Sequence, residues 1–192
     1  MDMKKTSKRQ LLGRINMGYM DKNRIPHATS YFVVPPEVAK IYGSKPKHLN
    51  ILLPKKDSSF PALQIKRGVV NIDKTYFCVL NLAKKFALRT TSNGNTRKIP
   101  CQWYNCEYWS RCRQVITFDF VLPKVNKHGL YRIATGSVDS MSNLQETIRA
   151  VANSHRIPLI LKIVPKKVNV INKDLGSISK KTKYFLELHR SK

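Results

Sequence analysis

The residues with most chemistry to offer are four cysteines. Three stand close together as Cys101-x4-Cys106-x5-Cys112, and the fourth, Cys78, lies upstream with residues 79–100 between. Thiolates are soft ligands and suit tetrahedral zinc at about 2.3 Å. A four-thiolate site leaves no position open for substrate, so such a zinc ion would be structural. The x4 and x5 spacings are wider than the usual x2 knuckle, and three readings stay open. Cys78, Cys101, Cys106 and Cys112 together hold zinc; or three of them do with a histidine or water; or all are reduced thiols. A strand carrying Cys78 that hairpins back through Asn93-Gly94 would bring Cys101 beside it.

Aromatic and basic residues crowd the same stretch: Trp103, Tyr104, Tyr108, Trp109, Arg111 and Arg113. Both tryptophans of the chain are here. Trp, Tyr and Arg dominate binding hot spots, which reads the loop as a surface for a protein partner. Stacking on unpaired bases is a second use. The third is apolar cover for a small metal-centred core.

Little else suggests chemistry. His27, His48, His128, His155 and His189 are scattered without helical pairing. The 11 acidic residues are dispersed, with no pair suited to acid–base work or a magnesium site. Glycines stand singly, so no phosphate-cradling loop exists, and no G-x-S-x-G frames the serines at 137–142. The expectation is a protein without catalytic residues.

The elements that must position these residues read as α+β, mainly antiparallel, with about seven to nine strands and no internal repeat. Tyr31–Val34 reads as a strand stopped by Pro35-Pro36. A short helix follows over 36–42, opened by Pro36 and closed by Gly43 as a left-handed cap. Further strands are expected at 51–53, 62–70, 75–82, 115–122 and 131–135, with a loop at 55–61 and turns at 71–74 and 124–129. Asn93-Gly94 marks a tight turn. Met141, Leu144, Ile148, Val151 and Ala152 form one apolar face, predicting an amphipathic helix over 141–153, with Ser140 or Ser142 as cap and Glu146 reaching back. The run at 159–171 is expected to break near Pro165. Residues 172–181 read as loop and 184–189 as the last strand. The expected organisation is a basic, flexible 1–12, then one α+β domain over 13–192 with a cysteine-rich zinc subdomain at 76–114.

The chain has 36 Lys and Arg against 11 Asp and Glu, a formal charge of +25 over 192 residues. Codon preference can explain abundant lysine but not scarce acids. Such a charge seeks a polyanion: nucleic acid, an anionic membrane surface or an acidic partner. No segment reaches the ~20 apolar residues of a membrane span. The basic start, Met1–Arg14, leads into no apolar stretch, so no secretory signal is expected and a reducing cytoplasm is.

Several stretches together resemble one phage family. They are Gly13-Arg-Ile-Asn-Met-Gly, Tyr31-Phe-Val-Val-Pro and Val38-Ala-Lys-Ile-Tyr-Gly through Leu49-Asn-Ile-Leu-Leu-Pro. The cysteine block at 101–112, Tyr131-Arg-Ile-x-Thr-x-Ser, Ser142-Asn-Leu-Gln and Ile157 through Val168 continue the likeness in order. The family is the Gp3-like recombination directionality factors, of the kind that accompany the actinophage φC31 integrase. The resemblance implies a protein of a temperate phage or mobile element that binds a large serine integrase at its coiled-coil arm and zinc domain. It would permit attL × attR excision and inhibit attP × attB integration, while the integrase supplies the nucleophile. The chain departs from the family after Cys78, where Val79-Leu-Asn-Leu-Ala replaces a glycine- and acid-rich stretch, and in its more basic charge. The excess charge adds an expectation of direct DNA contact, read as steep salt dependence. The rival reading, from charge alone, is a stand-alone basic zinc-containing DNA- or RNA-binding phage regulator.

Overall fold

The computed structural model describes residues 10–23, 25–54, 62–70, 76–81, 86–91, 93–151, 157–171 and 177–191. Eleven strands and two α-helices lie within them. In chain order these are β1 (Leu11–Met20), β2 (Pro26–Val33), α1 (Pro36–Tyr42), β3 (His48–Ile51), β4 (Leu63–Val70), β5 (Tyr76–Asn81), β6 (Phe86–Thr90), β7 (Thr96–Pro100), β8 (Arg113–Leu122), β9 (Asn126–Thr135), α2 (Val138–Ala150), β10 (Leu159–Ile171) and β11 (Ile178–Arg190). An eight-stranded sheet runs β2-β1-β9-β8-β4-β5-β6-β7, and a three-stranded sheet runs β11-β10-β3. Every pairing is antiparallel except β1 with β9. This is the expected mainly antiparallel α+β class, with more strands than expected. No described helix is long and apolar enough to cross a membrane.

Both sheets feed one core. Phe118, Phe120 and Leu122 of β8 meet Tyr131 and Ile133 of β9, Leu49 and Ile51 of β3, Leu159 and Leu161 of β10, and Leu186 and Leu188 of β11. Burying each such side chain contributes about 1.5–3 kcal/mol. Two backbone hydrogen bonds between Leu52 and Val121, at 3.0 and 2.9 Å, tie the small sheet to β8. Asp119 of β8 is 1% exposed and takes a bidentate pair from Arg132 of β9, at 2.7 and 2.8 Å.

Helix α2 seals the free edge of β11. An edge strand presents backbone groups without a sheet partner, which must be covered or hydrated. The Leu186 N–H donates to Ser140 Oγ (2.9 Å), the Leu188 N–H to Asn143 Oδ1 (2.7 Å), and Thr147 Oγ1 donates to the Leu188 carbonyl (3.0 Å). Ser140, Asn143 and Thr147 recur at helical spacing, so α2 carries a polar stripe beside its apolar one.

Several expectations need correction. The cap of α2 is Ser137, whose side chain accepts from the Ser140 N–H at 3.3 Å, so the helix starts at Val138 and not near Met141. Ser140 cannot cap because its hydroxyl serves β11. Gly43 has φ 85° as expected, but ψ 167° carries it away from the left-handed helical cap into an extended exit that only glycine adopts readily. Strand β10 runs unbroken through Pro165. There it pairs only with β11, since β3 ends opposite Lys162, so a proline facing the open side loses no ladder bond. Strand β11 begins at Ile178 inside the expected loop, because residues 178–183 continue the ladder opposite 166–171. The turn before β9 is only 123–125. Strands β1, β6 and β7 extend the expected set. The loop at 55–61, the turn at 71–74, the end of the second helix beyond Val151 and residues 1–9 lie outside the described residues.

Ser140→Ala should leave the buried Leu186 N–H without an acceptor and cost about 1–3 kcal/mol in urea unfolding. Ser142→Ala, exposed on the same helix, should stay within about 0.5 kcal/mol. Equal effects would show that the seal contributes nothing.

Candidate functional site

Strands β4 to β7 extend the large sheet beyond its core, and one face of this extension carries the cysteine cluster. Register decides which side chains share that face. Cys78 sits opposite Val69 on one side and Arg89 on the other, and Leu80 sits opposite Arg67 and Ala87. Directly opposed residues point the same way and alternate along a strand. Arg67, Val69, Cys78, Leu80, Ala87 and Arg89 therefore form one surface. Val69, Leu80 and Ala87 are buried yet stand apart from the main core.

The segment 101–112 folds over this surface through two single-turn 3₁₀ helices, Trp103–Asn105 and Trp109–Arg111. Cys112 then leads into β8, whose Arg113 pairs with Gly68, next to Arg67. All four cysteines, each half-buried, line one apolar pocket of about 30 Å³ between loop and sheet. The hairpin through Asn93-Gly94 does not do this as expected. It joins β6 to β7, so β6 separates β5 from the strand leading to Cys101. The thiols meet across the pocket rather than along a shared ladder.

Two arginines dominate the electrostatics. The Arg67 guanidinium lies 3.8 Å from the Trp109 ring centroid. Arg89 lies 5.2 Å from the Tyr108 ring, donates from Nη2 to Cys106 Sγ at 3.7 Å, and approaches Glu107 at 3.9 Å. Burial opposes the charge on Arg89, but Cys78, Cys106 and Glu107 outweigh it and raise its pKa. Burial pushes the Cys112 thiol up, Arg67 pulls it back, and the neighbouring Cys78 and Cys101 add to the rise. The Nε atoms of Arg67 and Arg89 are both buried without a hydrogen-bond partner.

The sequence-selected aromatic and basic residues divide. Tyr108 and Trp109 wall the pocket, and Tyr108 also packs edge-on against Phe77 at 4.9 Å. Tyr104 is 78% exposed and leans on Trp109 at 4.5 Å. Arg111 and Arg113 are exposed. Trp103 begins the first 3₁₀ turn, and its side chain lies outside the described residues. Arg67 and Arg89 were not singled out in the sequence. For Arg67 the available signal was a basic residue in the alternation Leu63, Ile65, Val69; Arg89 gave none, since the large apolar residues of its strand, Phe86 and Leu88, lie at the exposed positions.

The donor set suits zinc in kind: four thiols and two guanidiniums converge. Four thiolates around Zn²⁺ carry a net charge of −2, which the two half-buried guanidiniums would balance. The thiols are not drawn into a cage, however. Among the described residues no three His, Cys, Asp or Glu side chains are grouped as metal ligands.

Compared with known families, residues 12–189 match a family model described as Gp3-like, recombination directionality factor-like. The match spans both sheets and every cysteine. Comparison with curated proteins and with solved structures gives no match.

Arg67→Met should remove the cation that opposes burial at Cys112, so the pH at which Cys112 is alkylated by iodoacetamide should move up. Mass-resolved alkylation of chelator-treated protein reads each cysteine separately. Arg111→Met should leave that pH unmoved, and no shift in Arg67→Met would discount the Arg67–Cys112 coupling.

Proposed function

The chain belongs to the Gp3-like, recombination directionality factor-like family, and on that premise we propose that it binds a phage-encoded large serine integrase on DNA and sets its direction. It activates attL × attR excision and inhibits attP × attB integration. The match over residues 12–189 carries this reading, because it takes in all but the outermost residues of the described fold and not an isolated motif. The partner surfaces on the integrase are its coiled-coil arm and zinc domain, and the working compartment is the bacterial cytoplasm. The chain supplies binding and no catalytic group.

Direction control of this kind is a difference of affinities. A factor that bound both arrangements of an integrase arm equally would shift nothing, however tightly it bound. A bias of a few kcal/mol suffices to change which site pairs form a stable synapse, and an interface with a few anchors reaches that. Tyr104 and Arg111, exposed on the cysteine loop, and Arg113, exposed at the start of β8, have the anchor chemistry.

The cysteine loop is the part that must be rigid to offer such a surface. Cys78, Cys101, Cys106 and Cys112 would hold a structural zinc ion, supported by their shared pocket and the two unpartnered buried Nε atoms beside it. Such an ion supplies a crosslink between loop and sheet. Protein purified without added metal should then contain about one equivalent of zinc by elemental analysis. Cys101→Ser should lose it and change the fluorescence of Trp103 and Trp109, which report this loop alone. Less than about half an equivalent, with Cys101→Ser benign, would sink the four-thiolate site.

The function is tested with the integrase encoded nearest the gene, on attL × attR and on attP × attB, with and without the protein. Excision should appear and integration fall. If neither reaction changes while the integrase alone recombines attP × attB, the directionality reading is wrong for that pairing.

A further inference from the structure

The hairpin formed by β10 and β11 outruns the body of the protein. Its first half is core: Leu159, Leu161, Leu186 and Leu188 are buried, with β3 on one side and α2 on the other. Past the Pro165–Tyr184 pair, β10 and β11 pair with each other and with no other described strand. Six further cross-strand pairs follow, from Lys166–Lys183 to Ile171–Ile178. All residues of 178–183 are exposed, and only Val168 and Val170 of 166–171 are half-buried. Six residues of antiparallel strand make a ribbon about 20 Å long.

The ribbon is basic on both faces. Register puts Lys166, Lys181 and Lys183 on one face, and Lys167 and Lys180 on the other. The stretches 166–171 and 178–183 contain five lysines and no acid. Lys166 is engaged by Glu187 at 3.0 Å. Among the described residues, Lys167, Lys180, Lys181 and Lys183 have no ion-pair partner. Lys166 and Lys183 stand directly opposite, like charges of which Glu187 engages only the first. Beyond the lysines, Ile171 and Ile178 face each other, 64% and 68% exposed.

We propose that this ribbon is an arm that binds duplex DNA in a groove. The inference goes beyond the integrase reading and does not rest on it. A flat anionic surface would select a ribbon with one basic face, whereas a groove has a phosphate wall on each side. The B-DNA major groove, about 12 Å wide, admits a two-stranded ribbon. The major groove of duplex RNA is deep and narrow and does not. Single strands are held by stacking on aromatic rings, and positions 166–171 and 178–183 contain none. The lysines contact phosphates, and the isoleucine pair supplies the aliphatic surface that meets thymine methyls or wedges a base step.

The test uses the full chain and a fluorescent duplex of about 30 base pairs lacking any attachment site, with binding followed by anisotropy over a salt series. One variant carries Lys167→Gln, Lys180→Gln, Lys181→Gln and Lys183→Gln. A control carries Lys40→Gln, Lys47→Gln, Lys124→Gln and Lys127→Gln, exposed positions off the ribbon that remove the same charge. The slope of log affinity against log salt should flatten by about 3–4 in the arm variant, with binding at least about tenfold weaker near 0.1 M salt. The control should keep most of both. In the unmodified protein, DNA should protect the same four lysines from acetylation, a readout that needs no variant to fold. Equal losses in arm variant and control, no duplex binding even at low salt, tighter binding of single-stranded DNA or duplex RNA, or unprotected arm lysines would each overturn the proposal. A recombination assay run alongside separates this failure from failure of the directionality reading.

Discussion

Strand β8 carries a constraint on which the rest of the fold depends. From Ile116 to Leu122 it is almost wholly buried, so every backbone donor and acceptor there must find a partner inside the protein. One edge is met by β9 along most of its length. The other edge is met in relay. Strand β4 pairs with residues 113–118, the Ala62 carbonyl takes the Asp119 N–H at 2.7 Å, and Leu52 exchanges two bonds with Val121. The relay recruits segments distant in sequence and thereby fixes where the small sheet sits. It also explains the Asp119–Arg132 pair: a carboxylate 1% exposed is tolerable only with a bidentate partner at hand.

The cysteine pocket follows from the same strand. Its N-terminal end emerges from the core beside β4, so Cys112 arrives next to Arg67. The meander β4–β7 then supplies a floor too small to bury a core alone, since among the described residues Val69, Leu80 and Ala87 are its only buried hydrophobic side chains outside the main cluster. Such a floor needs a cover. The 101–112 segment provides it with Tyr108 and Trp109, whose rings lie against the two guanidiniums. An aromatic face is one of few apolar surfaces that accepts a buried cation. Thiol, guanidinium and ring thus support one another, and none would be stable in that position with only apolar neighbours.

How much of this was legible depends on whether the signal is local. Helix α1 could be read at both ends, because Pro36 and Gly43 act through their own backbone geometry. The spans of β4 and β5 were close for a similar reason, their apolar runs ending in turn residues. The start of α2 was hidden because three serines compete for one cap, and only the position of β11 shows that Ser140 is engaged elsewhere. Pro165 looked like a break because the sequence does not reveal that β3 has already ended there. The lysines at 180–183 looked like loop because a strand with no buried face has no hydrophobic alternation. At the candidate site the cysteines announced themselves by type and spacing. Arg67 and Arg89 did not, since their role exists only once the register of three strands is known.

The distribution of the few acids gives the charge its meaning. Asp119 is locked to Arg132. Asp21 accepts two backbone N–H groups in the β1–β2 turn and pairs with His27, which lowers its pKa. Glu187 is held low chiefly by Lys166, Glu37 receives the Tyr131 hydroxyl, and Glu107 faces Arg89. These five carboxylates organise turns, strands and the pocket rim, and offset few of the 36 Lys and Arg. The remaining cations therefore repel one another across the outside of the fold, and that repulsion raises the free energy of the compact chain at low salt. A polyanion that binds the native surface relieves it and stabilises the fold by mass action. On this argument the protein's stability at low salt is coupled to polyanion binding through the excess of 36 Lys and Arg over 11 Asp and Glu.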